Sequence, residues 1–432
     1  MQLSGWGQYP VTESTVLHPL TNSQVASIIA DGFSGIARGM GKSYGDSSLA
    51  PNVISLLSLK HILAFDEDSG IVTAQGGTTL ADLLDVFVPK GWFLPVTPGT
   101  RFVSLAGAIA SDVHGKNHHH DGSFSDHLID FKLLTADGSV LSCSKSQNRE
   151  LFLASCGGMG LTGIILEARL QLKAVNSSYI SQTTIKAPNL EAILNAFEET
   201  ESASYSVAWI DCLSKGKNLG RSLLTLGEHA DDGRLDISHK TAKSVPVNMP
   251  TFTINPLTVK SFNALYYHKV RQARSEQTVH YEPYFYPLDG LNNWNRLYGK
   301  NGFVQYQFVI AKEAGIKAMQ EIMQCIVRSG RGSPLAVLKV FGKGNDNYLS
   351  FPKEGYTLAL DFKVDEGLFS FLNELDAIIS HYDGRLYLTK DSRMSEDFFK
   401  QGYPQWQQLA EIRKQTSANK VFNSLQSQRL GL

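Results

Sequence analysis

Short apolar runs broken by glycine turns fill the first part of this chain, and longer amphipathic stretches fill the rest. Residues 20–30 carry apolar positions at helical spacing behind Thr21, Asn22 and Ser23, three candidate N-caps. Residues 80–87 (LADLLDVF) show the same period, and Gly91 ends it. Residues 35–38, 53–57 and 71–74 read as short β runs. Residues 131–134 and 138–143 pair as a hairpin around Ala136-Asp137-Gly138, residues 150–156 form a short helix, and residues 164–172 alternate as a strand. Beyond about Lys173 the texture changes. Alternation predicts strands at 207–213, 303–310, 336–341 and 356–362, and the helical period predicts helices at 190–199, 312–329 and 368–381. Residues 231–262 are polar, proline-containing and weakly periodic, and read as a long surface loop. The tail, 404–432, reads as helical and charged. The expected fold class is α+β. A first domain spans 1–174, and a second, 175–384, is an antiparallel sheet flanked by helices. Residues 385–432 return to the first.

The chain has 432 residues, enough for a large core, and a formal net charge of −1. That balance argues against nucleic acid as a partner, since phosphate binding needs a basic excess. The four cysteines, Cys143, Cys156, Cys212 and Cys325, form no CxxC pair and read as reduced thiols. The first residues lack the basic and apolar regions of a signal peptide, and no apolar run is long enough to span a bilayer. The expected location is therefore the cytoplasm or the periphery of the inner membrane, and a peripheral membrane contact stays open.

Three glycine-rich stretches carry the candidate chemistry. Residues 98–127 (PGTRFVSLAGAIASDVHGKNHHHDGSFSDH) begin with small side chains that let a flat ligand approach the backbone. A surface Gly/His loop is the plain alternative. Residues 37–47 (ARGMGKSYGDS) can fold with N–H groups pointing inward, as anion-binding nests do, but their spacing fits neither a Walker nor a Rossmann loop. Residues 157–163 (GGMGLTG) lead directly into a strand. Together the three suit an elongated dinucleotide. Gln305 and Gln307, two apart on a predicted strand, share one face. His118, His119 and His120 suggest metal at first sight, but consecutive ligands converge poorly on one ion, and no metal site is expected.

The strings RGMGKSYGD, PGT, LAGAIASDVHGKNHHHDGSFSDH, LTADG and GGMGLTGII resemble the FAD-binding domain of the vanillyl-alcohol oxidase/PCMH-type flavoprotein superfamily. They are most similar to its decaprenylphosphoryl-β-D-ribose 2-oxidase branch. FYPLDGLNNWNRLYGKNGFVQYQFV, VLKVFGKGN and RLYLTKDSRMSEDFFKQGYP extend the resemblance over nearly the whole chain. It implies FAD bound between two domains and oxidation of a sugar hydroxyl to a ketone, most closely C2 of a polyprenylphosphoryl ribose. A partner short-chain dehydrogenase/reductase then completes an epimerisation to arabinose. A free-sugar or aldonolactone oxidase is the alternative enzyme; a degenerate flavin scaffold is the non-enzyme reading.

The resemblance assigns the FAD pyrophosphate to Ala37, Arg38, Gly39, Met40, Gly41, Lys42, Ser43, Tyr44, Gly45, Asp46 and Ser47. It assigns the rest of the cofactor to Gly99, Ser104, Leu105, Ala106, Gly107, Ser111, Asp112, Val113 and His114, with Ile165 at the adenosine end and Tyr387 near the flavin. Many relatives attach FAD through a histidine at the position of Lys42. Lysine does not form that link, so non-covalent FAD is expected. The substrate side would hold Tyr44, His114, Lys116, Gln305, Gln307, Lys339, Thr357 and Lys390. Lys390 and His114 are the two candidate bases. Two departures fall on this side. Ala359 stands where relatives carry a cysteine, so thiol-directed covalent inhibitors should fail, and Thr357 stands where asparagine is common.

Overall fold

The computed structural model describes residues 1–237, 242–250 and 252–432. Its first half carries two larger sheets beside two short two-stranded pairs, Gln2–Ser4 with Val11–Glu13 and Trp92–Phe93 with Lys173–Ala174. A parallel one has the order β1 (Thr15–Leu17), β3 (Asn52–Ser55), β2 (Ile36–Arg38), with α1 (Asn22–Ala30) connecting β1 to β2. The second sheet is antiparallel. It uses β4 (Ile62–Asp66), β5 (Ile71–Gln75), β6 (Leu128–Leu134), β7 (Val140–Cys143) and β8 (Ile164–Gln171) in the order β7-β6-β8-β5-β4. Between β5 and β6 lie α2 (Leu80–Phe87) and α3 (Leu105–Ala110); α4 (Arg149–Ser155) leads to β8.

Local chemistry explains these starts and stops. Thr79 and Asp82 form a reciprocal capping box on α2, whose Leu80, Leu83, Leu84 and Phe87 enter the core. Gly91 follows in the left-handed region at φ 80°. Ser104 caps α3 by accepting from the Gly107 amide at 3.3 Å. Gly76 admits close packing beneath α3, because a Cβ there would lie 2.3 Å from the Ile165 carbonyl oxygen.

The second half is built on one antiparallel sheet of eight strands, beside a short parallel pair of Lys243–Ser244 with Leu291–Asn292. In chain order these are β9 (Tyr179–Ala187), β10 (Tyr205–Ile210), β11 (Ser222–His229), β12 (Arg274–His280), β13 (Phe303–Ala311), β14 (Ala336–Phe341), β15 (Gly355–Lys363) and β16 (Arg385–Leu386). Their spatial order is β12-β9-β11-β10-β14-β15-β13-β16. The helices α5 (Leu190–Glu199), α7 (Gly315–Ser329) and α8 (Leu368–His381) bury apolar stripes, with α7 packed against both α5 and α8; α6 (Pro256–His268) is a fourth helix of this half. The architecture is an α+β fold of two domains.

Some expectations need correction. The expected loop at 231–262 contains the start of α6, capped by Asn255 and begun by Pro256; residues 238–241 and 251 of that stretch lie outside the described residues. Apolar residues on both faces of α6 hid its period. The helix expected at 312–329 starts at Gly315, after a 3₁₀ turn at Lys312–Ala314. β9, β11 and β12 went unread, because their partners lie far away in sequence. The tail is pinned by Arg413, which is 1% exposed and donates to the carbonyls of Leu161 (3.1 Å) and Phe422 (2.8 Å) and to Asn423 Oδ1 (2.9 Å). Arg429 pairs with Asp46 and Asp391, both at 2.8 Å. All four cysteines are free and buried.

Candidate active site

Strand register builds the floor of the site. Gln305 of β13 lies opposite Asp361 of β15, and Gln307 opposite Ala359. Ala359 pairs in turn with Val337 of β14, and Thr357 with Lys339. Cross-strand partners share a face, so Gln305, Gln307, Asp361, Ala359, Thr357, Val337 and Lys339 stand together. Gln305, Gln307, Val337, Lys339 and Ala359 line a cavity of about 520 Å³. Its opposite wall comes from the first domain: residues 37–44, Gly99, Ser104, Ala106, Gly107, Ser111, Val113, His114 and Ile165. Tyr387, Thr389 and Lys390 close one side.

Most of the predicted site residues meet here, but not all. Ser47 also lines the cavity. Gly45, Asp46, Leu105 and Asp112 lie behind the wall. Gly45 abuts the Asp391 carbonyl, Asp46 is ion-paired to Arg429, and Leu105 is core. The Asp112 carboxylate accepts from the Ser125 amide, Asn345, Asn347 and Ser350. The Lys116 ammonium donates to the Tyr284 carbonyl and lies 4.3 Å from the Tyr284 ring centre. Thr357 accepts from Gln307 Nε2 at 3.3 Å, beneath it. The histidine triplet disperses: His118 is buried against Phe341, His119 meets the Ala203 carbonyl and His120 the Glu201 carbonyl.

The electrostatics centre on buried charges. Lys390 Nζ sits 3.8 Å from the Tyr44 ring centre. Burial lowers its pKa to about 7, with Asp361 raising it and Lys339 lowering it. Burial likewise lowers Lys339 to about 7 and raises Asp361 to about 7, against hydrogen bonds from Gln305 Nε2 (2.6 Å) and Tyr298 Oη (3.3 Å). Sequence reasoning missed Asp361. Its signal was a lone carboxylate on an otherwise apolar strand, in register with Gln305. His114 sits among Phe341, Phe351 and Tyr387. Burial first, then the nearby lysines, hold its pKa well below the imidazole range. Gln307 Nε2 lies 3.1 Å from the His114 Nε2, while the buried His114 Nδ1 has no partner among the described residues. Tyr387 Oη donates to the Ser111 carbonyl at 2.8 Å, tying the closing segment to the first domain.

The comparisons with known proteins bear on this site. A family model described as an FAD binding domain matches residues 14–144. Decaprenylphosphoryl-beta-D-ribose oxidase of Mycolicibacterium smegmatis is 35% identical over 453 aligned residues, covering 100% of this chain and 97% of the relative. The chain belongs to this family of FAD-binding oxidases. It is an FAD-dependent oxidoreductase of the kind that acts on CH–OH groups. L-gulono-1,4-lactone dehydrogenase of Mycobacterium tuberculosis is 21% identical, with 97% of this chain and 96% of the relative covered. Bovine L-gulonolactone oxidase is 29% identical over 35% of this chain and 34% of its own.

The oxidase's own residues fit a flavin dinucleotide. The amides of residues 39–43 lie in no helix or strand and donate to no group among the described residues, so five consecutive N–H groups stand on the cavity wall. Gly39 and Gly41 keep that wall bare. A Cβ on Gly39 would lie 2.0 Å from Ser104 Oγ, and Gly41 has φ 61°. Lys42 rests 3.5 Å from the Trp6 ring centre, with Asp289 raising a pKa that burial lowers.

Proposed function

We propose that this oxidase converts the C2 hydroxyl of a polyprenylphosphoryl-β-D-ribose to a ketone, using non-covalent FAD. The observation that carries this reading is the polar, desolvated floor of Gln305, Gln307 and Lys339, backed by Asp361 and closed on one side by Lys390, facing a glycine-walled cradle. FAD, when bound, accepts the hydride from the carbinol carbon. The amides of residues 39–43 hold the pyrophosphate. Gln307 Oε1 accepts from a sugar hydroxyl and orients it, while its Nε2 engages His114. That contact occupies the His114 Nε2 lone pair, leaving Lys390 as the better proton acceptor. Neutral Lys390 takes the hydroxyl proton at Nζ, a role its lowered pKa near neutrality suits. Asp361 holds the charge that results. The keto sugar then requires a separate reductase, of the short-chain class, to complete an epimerisation.

A free aldonolactone or sugar is the second reading, favoured by the full-length likeness to L-gulono-1,4-lactone dehydrogenase. An anaerobic flavin-reduction screen separates the two. Bleaching by a lipid-phosphoribose, but not by free ribose or gulonolactone, is expected. Bleaching by the lactone alone overturns the reading. Acid precipitation should release all flavin to the supernatant, and flavin retained on the polypeptide would contradict non-covalent binding.

A further inference from the structure

The second domain exposes an apolar face that no part of the described chain covers. Helix α6 buries Val259, Asn263 and Tyr267, one stripe at four-residue spacing. Tyr267 Oη reaches the Ala187 carbonyl and Asn263 Nδ2 the Asp211 carboxylate, so that stripe fixes which side of the helix faces inward. The opposite side is still apolar. Leu257 is 74% exposed and Leu265 75%, while Phe252 and Val247, just before the helix, are 73% and 62% exposed. Single exposed leucines are ordinary, but large apolar tips gathered on one segment mark a binding surface.

Charge says what covers it. No aspartate or glutamate occurs between Asp236 and Glu276. Lys243, Lys260, Lys269, Arg271 and Arg274 are all exposed there. Of these, only Arg274 is ion-paired among the described residues, at 3.4 Å to Glu276. A second copy of the same face would oppose like charges across a two-fold axis. Apolar tips ringed by unbalanced cations match instead the acyl boundary and headgroups of an anionic bilayer.

The position adds a second argument. Lys243–Ser244 runs parallel to Leu291–Asn292, and Arg296 Nη1 donates to the Val245 (3.0 Å) and Pro246 (2.8 Å) carbonyls. Ser244, Leu291, Asn292 and Trp294 line the cavity. The segment that begins the apolar face is therefore strapped to the cavity wall.

We propose that this face, centred on Phe252, Leu257 and Leu265 with Lys260 and Lys269 beside them, docks the enzyme on an anionic lipid surface. Docking there sets the cavity next to the bilayer. That a lipid-linked sugar enters from the bilayer is a consequence that rests on the function proposed above; docking itself does not depend on it.

Co-sedimentation of the full-length, flavin-loaded protein with phosphatidylglycerol/phosphatidylcholine vesicles tests the proposal. Binding is expected to weaken with salt and to be much lower on pure phosphatidylcholine. Phe252→Ser/Leu257→Ser/Leu265→Ser should lose affinity on the order of 100-fold, and Lys260→Glu/Lys269→Glu about tenfold. Both should keep the parent's flavin content and melting temperature. Because all four native cysteines are buried, a Leu257→Cys variant can carry a single polarity-sensitive dye, which should shift to the blue on anionic vesicles. Unchanged vesicle binding by the triple variant overturns the proposal, as does a dye that reports no change. A parent protein that ignores vesicles but dimerises through this face, with the dimer lost in the triple variant, overturns it in favour of self-association.

Discussion

Asp361→Asn tests the core of the catalytic reading. The substitution keeps the shape and one acceptor oxygen, which can serve Gln305 Nε2; the new NH2 then faces Tyr298 Oη, whose hydroxyl can accept in place of donating. It removes the negative charge that raises the Lys390 pKa. Opposite charges at about 6 Å, the outer edge of the range in which a neighbour shifts a pKa strongly, interact at an effective dielectric of ~20 by ~2.8 kcal/mol, which corresponds to about 2 pH units. Water in the cavity screens part of this, so a downward shift of about one to two units is expected. If neutral Lys390 accepts the proton, the rate of flavin reduction rises with pH through a pKa near 7 in the parent. In Asp361→Asn that limb moves to lower pH and simplifies, because one of two coupled ionisations is gone. For a shift of about one unit, the neutral fraction one unit below the parent midpoint rises from about a tenth to about a half, a fivefold gain in rate relative to its plateau. The assay is anaerobic stopped-flow bleaching at saturating substrate across the neutral range. A limb that stays in place, or moves upward, refutes the charge coupling. A parent rate that falls with pH refutes the proton-acceptor role and favours a protonated lysine.

Three further outcomes follow from the geometry. Lys390→Ala should leave flavin bound while slowing its reduction by about 10²–10⁴-fold, read by the same bleaching assay. Gly39→Ala drives a methyl group to 2.0 Å from Ser104 Oγ and should weaken FAD binding about tenfold or more, read by fluorescence titration of the apoprotein. Arg413→Met strands the Leu161 and Phe422 carbonyls and Asn423 Oδ1; it should cost about 2–4 kcal/mol in denaturant titrations.

How much was legible in the sequence depended on how local the cause was. The helix Leu80–Phe87 was readable to its ends because Thr79, Asp82 and Gly91 act within a turn or two of it. The glycine cradle was readable because bare backbone is a property of consecutive residues. Strands β13, β14 and β15 announced themselves by apolar alternation, and the glutamine pair by its spacing of two. The strands β9, β11 and β12 did not, because their polar faces blur the alternation and their stability comes from ladders to distant partners. Helix α6 was hidden by the leucines on its outer side.

The site divides along the same line. That Gln305 and Gln307 share a face follows from the pleat, but that Asp361, Lys339 and Lys390 meet them is a matter of strand register and a closing segment. Burial then brings the two lysines and the aspartate close to neutrality. No sequence pattern encodes desolvation, since it is produced by whatever packs around a group after folding. The same holds for Lys116, which the family resemblance puts beside the substrate and tertiary packing turns toward the Tyr284 carbonyl. The sequence by itself determined the glycine-rich turns and the α+β class, whose causes are local. Only the tertiary structure decided which charges face one another, because that depends on contacts between residues far apart in the chain.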